Sequence, residues 1–586
     1  MNKLKTQLSL FFSKGEQKKI IFVFFLMLLA SFLELLSLGM ILPITSVFLN
    51  DANSTHLNFL NIFSSLDFYS TQNLLYILLT IFFLIYLFKI ATLLFITWYQ
   101  QRFLYNLKYN ISNKFFLNYI TEDYSFYRNK NTASFIRNIM SEIDNLINFY
   151  LSVVTITLEL ITLITLSIFL LYVNTSVTFI SFSFFAIIAL TYYSLIKKRL
   201  SFWGYERQKI EEKKIRFLQE GFGAFKEIKI MGRENFFYEN FKIQNFNFAT
   251  ISLKVNFLNQ VPRHLFEFTA IVMIIIIFLV LKILEFNLNE TLSLLALYLA
   301  AAFRLLPTSN RLLYSLQTIK FFYPSLEILS KEIQSFSNKT KTEKIPSIKK
   351  NNLKEKIIID IKKFKYSETD IFKLENIKFE IAKNSKIGII GKSGSGKSTL
   401  IENIAGILKP SSGDIKVDGK SIYDNRREWM NNLAYIPQKI FILDDTLKNN
   451  ILFGADPKSY DDKYIIELLE KTNLKHLLKK LKNGLNHNLG EKGANLSVGE
   501  VQRVGIARAF LNNPDIIILD EATSSLDTFT ESKILNELYK FEKTFISVAH
   551  RIGTLKKSDL IIKIDEGKII DLGKFDQFDV NNYEKF

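Results

Sequence analysis

Residues 391–398 read Gly-Lys-Ser-Gly-Ser-Gly-Lys-Ser and fit the pattern G-x-x-x-x-G-K-[ST] of a phosphate-binding loop. The apolar run 387–390 before the loop predicts a buried strand, and residues 399–402 after it predict the start of a helix. Glycines in such a loop let backbone N–H groups close around phosphate oxygens, and the helix N-terminus adds a favourable dipole. We expect Lys397 to reach the β- and γ-phosphates of a nucleotide and the Ser398 hydroxyl to bind Mg²⁺.

A second apolar run ends in two carboxylates. Residues 516–519 are Ile-Ile-Ile-Leu, which predicts a buried strand, and Asp520 and Glu521 follow directly. The first carboxylate suits the Mg²⁺ shell, directly or through water, and the second suits polarisation of the attacking water. Together with the phosphate loop, these residues predict a site that hydrolyses a nucleotide.

The composition places this site on a membrane protein. The chain has 586 residues, is 48% hydrophobic with 55 Phe, and carries a net charge of +18. Its basic residues lie between apolar stretches, which favours the positive-inside pattern of a membrane protein over nucleic-acid binding. The absence of cysteine excludes disulfides, thiolate metal sites and a cysteine nucleophile.

Six apolar stretches are long enough to span a bilayer. They are 20–48, 74–99, 149–172, 177–196, 264–284 and 292–313. The segments before the first stretch and after the second and fourth are basic, whereas residues 51–73 have no Lys or Arg. This distribution predicts that both termini are cytosolic. The first stretch is too long for a signal-peptide core, so we expect it to be retained.

The rest of the sequence predicts a linker and a second domain. Residues 331–356 are rich in Lys, Ser, Thr and Asn, and strand and helix patterns alternate after them. We therefore predict an α-helical transmembrane domain at 1–330, a linker at 331–356 and an α/β phosphate-loop nucleotide-binding domain at 357–586. Long cytosolic extensions of the six helices are predicted to contact this domain through tips at 119–127 and 218–226.

With these motifs in this order, the chain resembles the exporter class of ABC transporters, in which a membrane domain and an ATPase domain are fused. The resemblance implies that Tyr366 stacks on adenine and that Gln438, in Tyr-Ile-Pro-Gln, senses Mg²⁺ and the membrane domain. It also implies a D-loop residue at Asp527, and a switch histidine at His550 that contacts the γ-phosphate.

The resemblance thereby implies a complete set of site residues, with ATP and Mg²⁺ as cofactors. Its catalytic residues are Glu521, His550 and Gln438. Its Mg²⁺ ligands, direct or through water, are Ser398, Gln438 and Asp520. Its ATP-binding residues are Tyr366, Gly391, Lys392, Ser393, Gly394, Ser395, Gly396, Lys397, Ser398, Thr399, Ser497, Gly499, Glu500, Asp520 and Asp527.

Residues 496–500, Leu-Ser-Val-Gly-Glu, match the family's signature motif, which usually reads Leu-Ser-Gly-Gly-Gln. Ser497 and Gly499, which contact γ-phosphate in the family, are kept, whereas Val498 and Glu500 depart from the pattern. Glu500 adds a carboxylate near the phosphates, so we expect an active but slow ATPase. In this family the phosphate loop of one domain faces the signature of another. The resemblance therefore implies two chains, a homodimer in the simplest case and a heterodimer otherwise.

Four cations lie within or beside the predicted spans. They are Lys89, Arg263, Arg304 and Arg311. Charges inside a membrane are costly and usually face a cavity or a partner, and arginine suits bidentate contacts with phosphate. We interpret the four as sites for an anionic head group, such as a pyrophosphate, attached to a lipid. The alternative is that they form ion pairs with Glu34, Glu159 and Glu267, or extend to the membrane interface.

Two short segments that contain the three arginines, 303–311 and 261–263, resemble bacterial lipid-linked oligosaccharide flippases of the PglK type. The resemblance implies an ATP-driven flippase in the bacterial inner membrane. A similar exporter of lipid A-like glycolipids, peptides or drugs, and a non-transporting regulatory ATPase, are the alternatives. Residues 51–73 fit either an interfacial helix that docks the lipid tail or an ordinary hydrophobic loop. Within them, Asn53 fits an N-glycosylation pattern that also arises by chance in an Asn-rich chain.

Overall fold

The computed structural model describes residues 7, 10–12, 14–48, 71–283, 288–337, 353–366, 373–472, 474–522, 531, 535–549 and 552–578. The chain divides into two compact units, which are Met1–Glu122 with Asn129–Lys341, and Asp123–Arg128 with Thr342–Phe586. The second unit thus includes part of the first predicted tip. The predicted interfacial helix at 51–73 and Asn53 lie outside the described residues, apart from the last three positions of that segment.

Long helices form the first unit. In chain order the helices up to residue 337 are α1 (Lys14–Gly39), α2 (Ile41–Phe48), α3 (Thr71–Thr121), α4 (Tyr124–Arg128), α5 (Thr132–Arg137), α6 (Ile143–Val173), α7 (Thr175–Gly223), α8 (Phe225–Met231), α9 (Glu234–Ile283) and α10 (Leu288–Ser337). All of them except α4 belong to the first unit.

The longest of these helices exceed the thickness of a membrane. Helix α3 has 51 residues. At 1.5 Å per residue it extends about 76 Å, against about 30 Å for a hydrocarbon core. Within the described residues, four helical stretches are long and apolar enough to span, namely Gly15–Thr45, Leu75–Thr121, Thr132–Val173 and Thr175–Gly223. Helices α9 and α10 pass through the fifth and sixth predicted spans, and the count of six stays a prediction.

The first unit is apolar both inside and on its surface. Helix α10 packs along α6 and α7, and α1 packs on α3. Phe115 and Phe149 are completely buried between helices, whereas Phe83, Leu94 and Phe179 are each more than 60% exposed. Exposure of large apolar side chains to water is unfavourable, so these helix faces require lipid or another protein chain around them.

A buried ionic network joins helices of the first unit. Glu142 is completely buried, and its Oε2 accepts hydrogen bonds from Arg207 Nη2 at 3.0 Å and from the Ser325 hydroxyl. Arg137 Nε lies 3.8 Å from Glu142 Oε1. Glu142 ends a π-helical turn, Asn138–Glu142, between α5 and α6. Each buried charge of the network thus has an opposite charge beside it, which offsets part of the cost of removing it from water.

Alternating strands and helices form most of the second unit. The strands are β1 (Lys356–Phe364), β2 (Leu374–Ala382), β3 (Lys386–Ile390), β4 (Ser412–Val417), β5 (Lys420–Ser421), β6 (Leu433–Ile436), β7 (Ile516–Asp520), β8 (Thr544–Val548), β9 (Leu560–Asp565) and β10 (Lys568–Gly573). The helices are α11 (Lys397–Ile404), α12 (Arg426–Met430), α13 (Leu447–Leu452), α14 (Asp462–Lys471), α15 (Lys475–Lys480) and α16 (Val498–Phe510).

The strands form two sheets. The larger has the order β10-β9-β3-β8-β7-β6, and all neighbours in it are parallel except β9 and β10. The smaller is antiparallel with the order β2-β1-β4-β5. Residues of β3 and β7, including Ile389 and Ile518, are completely buried. Because β3 and β7 are parallel members of one sheet, their carboxyl ends lie at the same edge, where ligands bind in α/β folds.

The segment predicted as a linker is partly helical. Helix α10 continues to Ser337, seven residues into 331–356, and β1 begins at Lys356. The reason is an apolar stripe, since Leu329, Ile333 and Phe336 are buried. Their spacing of four and three residues places them on one helical face. Residues 338–352 lie outside the described residues.

Candidate functional site: the nucleotide-binding centre

The phosphate loop connects β3 to α11, as the sequence predicts. Gly391 begins the loop with φ 159°, and a Cβ there would lie 2.2 Å from the Ile564 carbonyl oxygen. Gly396 caps α11 in the left-handed region, with φ 106°. Gly391 is required because a side chain there would clash, and Gly396 is required because glycine adopts the left-handed conformation without strain. The loop therefore leads the chain directly into the N-terminus of α11, where N–H groups are available to an anion.

Lys397 lies at the centre of the loop. Its ammonium donates to the carbonyl oxygens of Gly391 and Lys392, both at 2.9 Å. Burial lowers the pKa of Lys397, while the charges of Glu521 and Asp520 oppose that shift. Lys397 thus lies within electrostatic range of both predicted acidic residues.

Asp520 ends β7 beside a tyrosine that the sequence did not single out. The Tyr435 hydroxyl, on the neighbouring strand β6, donates to Asp520 Oδ2 at 2.8 Å. Burial raises the pKa of Asp520. The hydrogen bond from Tyr435 and the charge of Lys397 oppose this rise, whereas the charge of Glu521 adds to it. Tyr435 therefore orients the carboxylate and leaves its other oxygen available for a cation.

Glu521 has a strained backbone and a defined partner. Its φ is 53°, in the left-handed region that costs a non-glycine residue about 1–2 kcal/mol. Its Oε2 accepts a hydrogen bond from Gln438 Nε2 at 2.7 Å. The structure thus brings together two of the three predicted catalytic residues, although they are far apart in sequence. The third, His550, and the D-loop residue Asp527 lie outside the described residues.

The predicted adenine platform, Tyr366, is fixed at its hydroxyl. This hydroxyl shares a hydrogen bond of 2.6 Å with the Thr399 hydroxyl on α11. The Arg128 guanidinium, from α4, lies over the Tyr366 ring at 3.3 Å from its centroid. Tyr366, Thr399 and the phosphate loop are therefore parts of one continuous site.

The signature residues form the beginning of α16. The Ser497 side chain accepts from the Glu500 N–H, and the Glu500 carboxylate accepts from the Ser497 N–H at 2.7 Å, which is a capping box. Lys480 Nζ lies 3.1 Å from Glu500 Oε1. Although burial opposes ionisation, the Ser497 N–H and Lys480 lower the pKa of Glu500 to about 2. The carboxylate is therefore held against its own helix, which weakens the basis for the expected repulsion of ATP.

The donor set fits a nucleotide with Mg²⁺. Ser398 is exposed at the start of α11, and the Ser395 hydroxyl is buried without a hydrogen-bond partner. Within the described residues, no group of three or more His, Cys, Asp or Glu side chains could cage a metal. Mg²⁺ usually takes one or two protein ligands and completes its shell with phosphates and water. Ser398 and Asp520 match that pattern.

Sequence reasoning missed three residues of this site: Tyr435, Lys480 and Arg128. Tyr435 begins the quoted stretch Tyr-Ile-Pro-Gln, but only the strand order places it beside Asp520. Lys480 is one of several lysines near the end of α15, and nothing in the sequence distinguishes it. Arg128 adjoins the tip that was predicted to contact the nucleotide-binding domain.

The four membrane-domain cations all have acidic neighbours. Lys89 Nζ lies 3.0 Å from Glu34 Oε1, and Arg304 Nε lies 2.9 Å from the same atom. We call these three residues the Glu34 cluster. Arg311 pairs with the buried Glu159, and Arg263 with Glu267 at 2.9 Å on an exposed helix face. The ion-pair alternative from the sequence is thus present, but in the Glu34 cluster two cations share one carboxylate.

Two family profiles match this chain in the order of its two units. One, described as "ABC transporter transmembrane region", matches residues 20–302, and one described as "ABC transporter" matches residues 374–524. The chain belongs to the ABC transporters and carries its membrane domain and its ATPase domain in one polypeptide.

Individual relatives are similar over part of their length. A "putative export ATP-binding/permease protein" of Rickettsia typhi is 40% identical over 34% of this chain and 35% of its own length. An "ATP-dependent lipid A-core flippase" of Pasteurella multocida is 38% identical over 36% of each chain. The matches thus span about a third of these relatives. A solved bacterial Atm1-family ABC exporter with ATP bound has a TM-score of 0.77 at 19% identity and 96% coverage of both chains, which shows the fold.

Proposed function

We propose that two copies of this chain form an ATP-driven flippase. It moves a polyprenyl-pyrophosphate-linked oligosaccharide across the bacterial inner membrane, with both termini in the cytosol. The exposed apolar faces of the first unit support the membrane location. The phosphate loop and the signature, each present once per chain, support a homodimer with two composite ATP sites.

Hydrolysis is assigned to residues of the second unit. Lys397 and the N-terminus of α11 bind and orient the phosphates. Ser398 and Asp520 would hold Mg²⁺, which would neutralise phosphate charge when bound. Glu521 accepts a proton from the attacking water and is aimed by its hydrogen bond from Gln438 at 2.7 Å. Gln438 is therefore suited to link the state of this site to other parts of the transporter.

The Glu34 cluster is the observation that carries the cargo assignment. Lys89 and Arg304 contribute two positive charges and Glu34 one negative charge, so the cluster has an excess of one positive charge. The Glu34 and Lys89 side chains are only 3% and 9% exposed, whereas Arg304 is 22% exposed. Uncompensated charge in a membrane helix usually marks a site for an ion or substrate. Arg304 has the geometry for bidentate binding of a phosphate.

A cavity in the first unit supports a lipid component of the cargo. It has a volume of about 160 Å³ and lies between α6, α7, α9 and α10. Its walls are almost entirely apolar, with Ser309 and Tyr298 as the polar exceptions. Leu305 lines it and is adjacent to Arg304 in α10. In the proposed binding mode, part of an apolar chain occupies this cavity while an anionic group contacts the cluster.

The second candidate is an exporter of another cargo, foremost a lipid A-like glycolipid. It is favoured by the similarity to flippases that are named for lipid A-core. Phosphorylated glycolipids present the same two chemistries, an anionic group and apolar chains. A peptide or drug would need only the apolar cavity, and the complete set Lys397, Asp520 and Glu521 argues against a regulator without transport.

The test is flipping of labelled lipid-linked oligosaccharide in proteoliposomes, with lipid A as the competing cargo. Glu521→Gln should keep ATP binding and lower hydrolysis by about 10²–10⁴-fold, with flipping reduced in parallel. Arg304→Gln should reduce flipping while ATP hydrolysis without cargo persists, because Lys89 still compensates Glu34.

Arg311 needs a compensated design. Since Arg311→Gln alone would leave Glu159 buried without its cation, it is combined with Glu159→Gln. Normal flipping in both Arg304→Gln and this double variant would exclude cargo binding by these arginines. Transport of lipid A in place of the oligosaccharide would select the second candidate.

A further inference from the structure

One residue of α4 covers one face of the Tyr366 ring, on which the base of a nucleotide is proposed to stack. The Arg128 guanidinium carbon lies 3.3 Å from the centroid of the Tyr366 ring. A stacked base needs about the same separation from an aromatic ring, since stacked π systems make contact near the van der Waals distance. The guanidinium and a base therefore cannot contact this ring face at the same time.

The segment that carries Arg128 is anchored at its other end. Asp123, which immediately precedes α4, forms an ion pair of 2.7 Å with Arg426. The Arg426 guanidinium also donates to the Gly406 and Ile407 carbonyl oxygens, so this anchor is itself held. Burial raises the pKa of Glu402 on α11, and the Arg128 charge opposes that rise. The Arg128 charge thus lies within electrostatic range of a carboxylate and directly over the Tyr366 ring.

We propose that Arg128 is a competitive gate on the adenine platform: when a nucleotide binds, its base must displace Arg128 from the Tyr366 ring. This inference rests on the proposed role of Tyr366 in the ATP site. Displacement of Arg128 would release one end of the segment Asp123–Arg128. The gate thereby makes the position of this segment dependent on the base, and not on the phosphates alone.

The size of the effect follows from the stacked contact. A cation–π contact contributes roughly 0.5–2 kcal/mol, which corresponds to about a two- to thirtyfold change in binding. Arg128→Ala should therefore tighten ADP binding by a factor in this range. Binding of inorganic tripolyphosphate, which has no base, should change less than twofold. The ADP affinity of Arg128→Lys should lie between those of wild type and Arg128→Ala, because an ammonium stacks less well than a planar guanidinium.

The experiment is titration of the full-length chain in detergent with Mg·ADP, which is not consumed, and with Mg·tripolyphosphate. Arg427→Ala is the matched control, since Arg427 is an exposed arginine next to the anchor. Asp123→Asn, which loosens the anchor without touching the ring, should also tighten ADP binding. Size-exclusion chromatography of each variant checks that it is folded.

Two results separate the gate from the site. Tyr366→Ala should weaken ADP binding but not tripolyphosphate binding; if it changes neither, Tyr366 is no adenine platform and the gate is overturned with it. If Tyr366→Ala behaves as expected but Arg128→Ala leaves ADP binding unchanged or weaker, only the gate is overturned. Loss of tripolyphosphate binding in Lys397→Ala, tested in parallel, reports on the phosphate site independently of both.

Discussion

Replacing Glu500 distinguishes two roles of this unusual signature residue: stabilisation of its own helix, α16, and the predicted repulsion of ATP phosphates. Its carboxylate accepts the Ser497 N–H at 2.7 Å and pairs with Lys480 at 3.1 Å, so Glu500→Ala removes a capping-box bond, a favourable helix-dipole charge and an ion pair. These contribute about 1, 0.3–1 and 0–1 kcal/mol respectively. The sum is about 2 kcal/mol, which lowers the unfolding midpoint of a domain of this size by about 4–8 °C. Glu500→Gln keeps the cap and should lose about half as much.

The assay can follow the second unit alone. The chain has three tryptophans, of which only the buried Trp429 lies in that unit. Replacing Trp98 and Trp203 by Phe therefore leaves one fluorescence reporter of its thermal unfolding. Glu467→Gln, on the exposed face of α14, is the control and should shift the midpoint by less than 1 °C.

The pH dependence follows from the depressed pKa of Glu500. Its pKa is lowered from 4.5 to about 2, so the ionised form stabilises the fold. This stabilisation is fully present above pH 4.5 and is lost as the pH falls towards 2. The midpoints of wild type and Glu500→Gln should therefore differ above pH 4.5 and converge in acid.

ATP titration distinguishes a role of Glu500 in stabilising α16 from repulsion between its carboxylate and ATP. If the carboxylate is held by its own helix, Glu500→Gln should leave ATP affinity and turnover unchanged well below the unfolding midpoint. Tighter ATP binding together with an unchanged midpoint would refute the local role and restore the predicted repulsion.

Two further substitutions test the site and the membrane domain. Gly391→Ala should abolish ATP binding and lower the unfolding midpoint, because its Cβ would lie 2.2 Å from the Ile564 carbonyl oxygen; Gly553→Ala, with no atom within 4 Å of its Cβ, should change neither. Glu34→Gln should destabilise the detergent-solubilised chain by about 3–5 kcal/mol because it leaves two cations of the Glu34 cluster without their carboxylate. Glu267→Gln, which breaks an exposed pair, should leave stability nearly unchanged, and equal shifts for both would contradict the burial argument.

The sequence by itself determined the order of the two domains and the phosphate loop. Membrane helices follow from long apolar runs, since a bilayer permits only structures that satisfy their own backbone hydrogen bonds. The loop at 391–398 follows from glycines and a lysine at fixed spacing, because phosphate binding depends on local backbone geometry. Both signals are contained in contiguous residues, so they needed no tertiary information.

Tertiary structure decided which distant residues meet. Only the strand order places Tyr435 beside Asp520, and only the fold brings Gln438 to Glu521. Buried contacts of Ile333 and Phe336 continue helix α10 seven residues into the segment that composition indicates as a linker.

Charged residues show most clearly the difference between what the sequence determines and what the tertiary structure determines. The resemblance placed Glu500 near phosphates, and the sequence left open whether Arg304 binds an anionic head group or pairs with an acidic residue. In the structure, Glu500 lies beside Lys480 and Arg304 beside Glu34, which are 20 and 270 residues away in the chain. The effect of a charge depends on the groups within a few ångströms of it, and only the folded chain determines which groups those are.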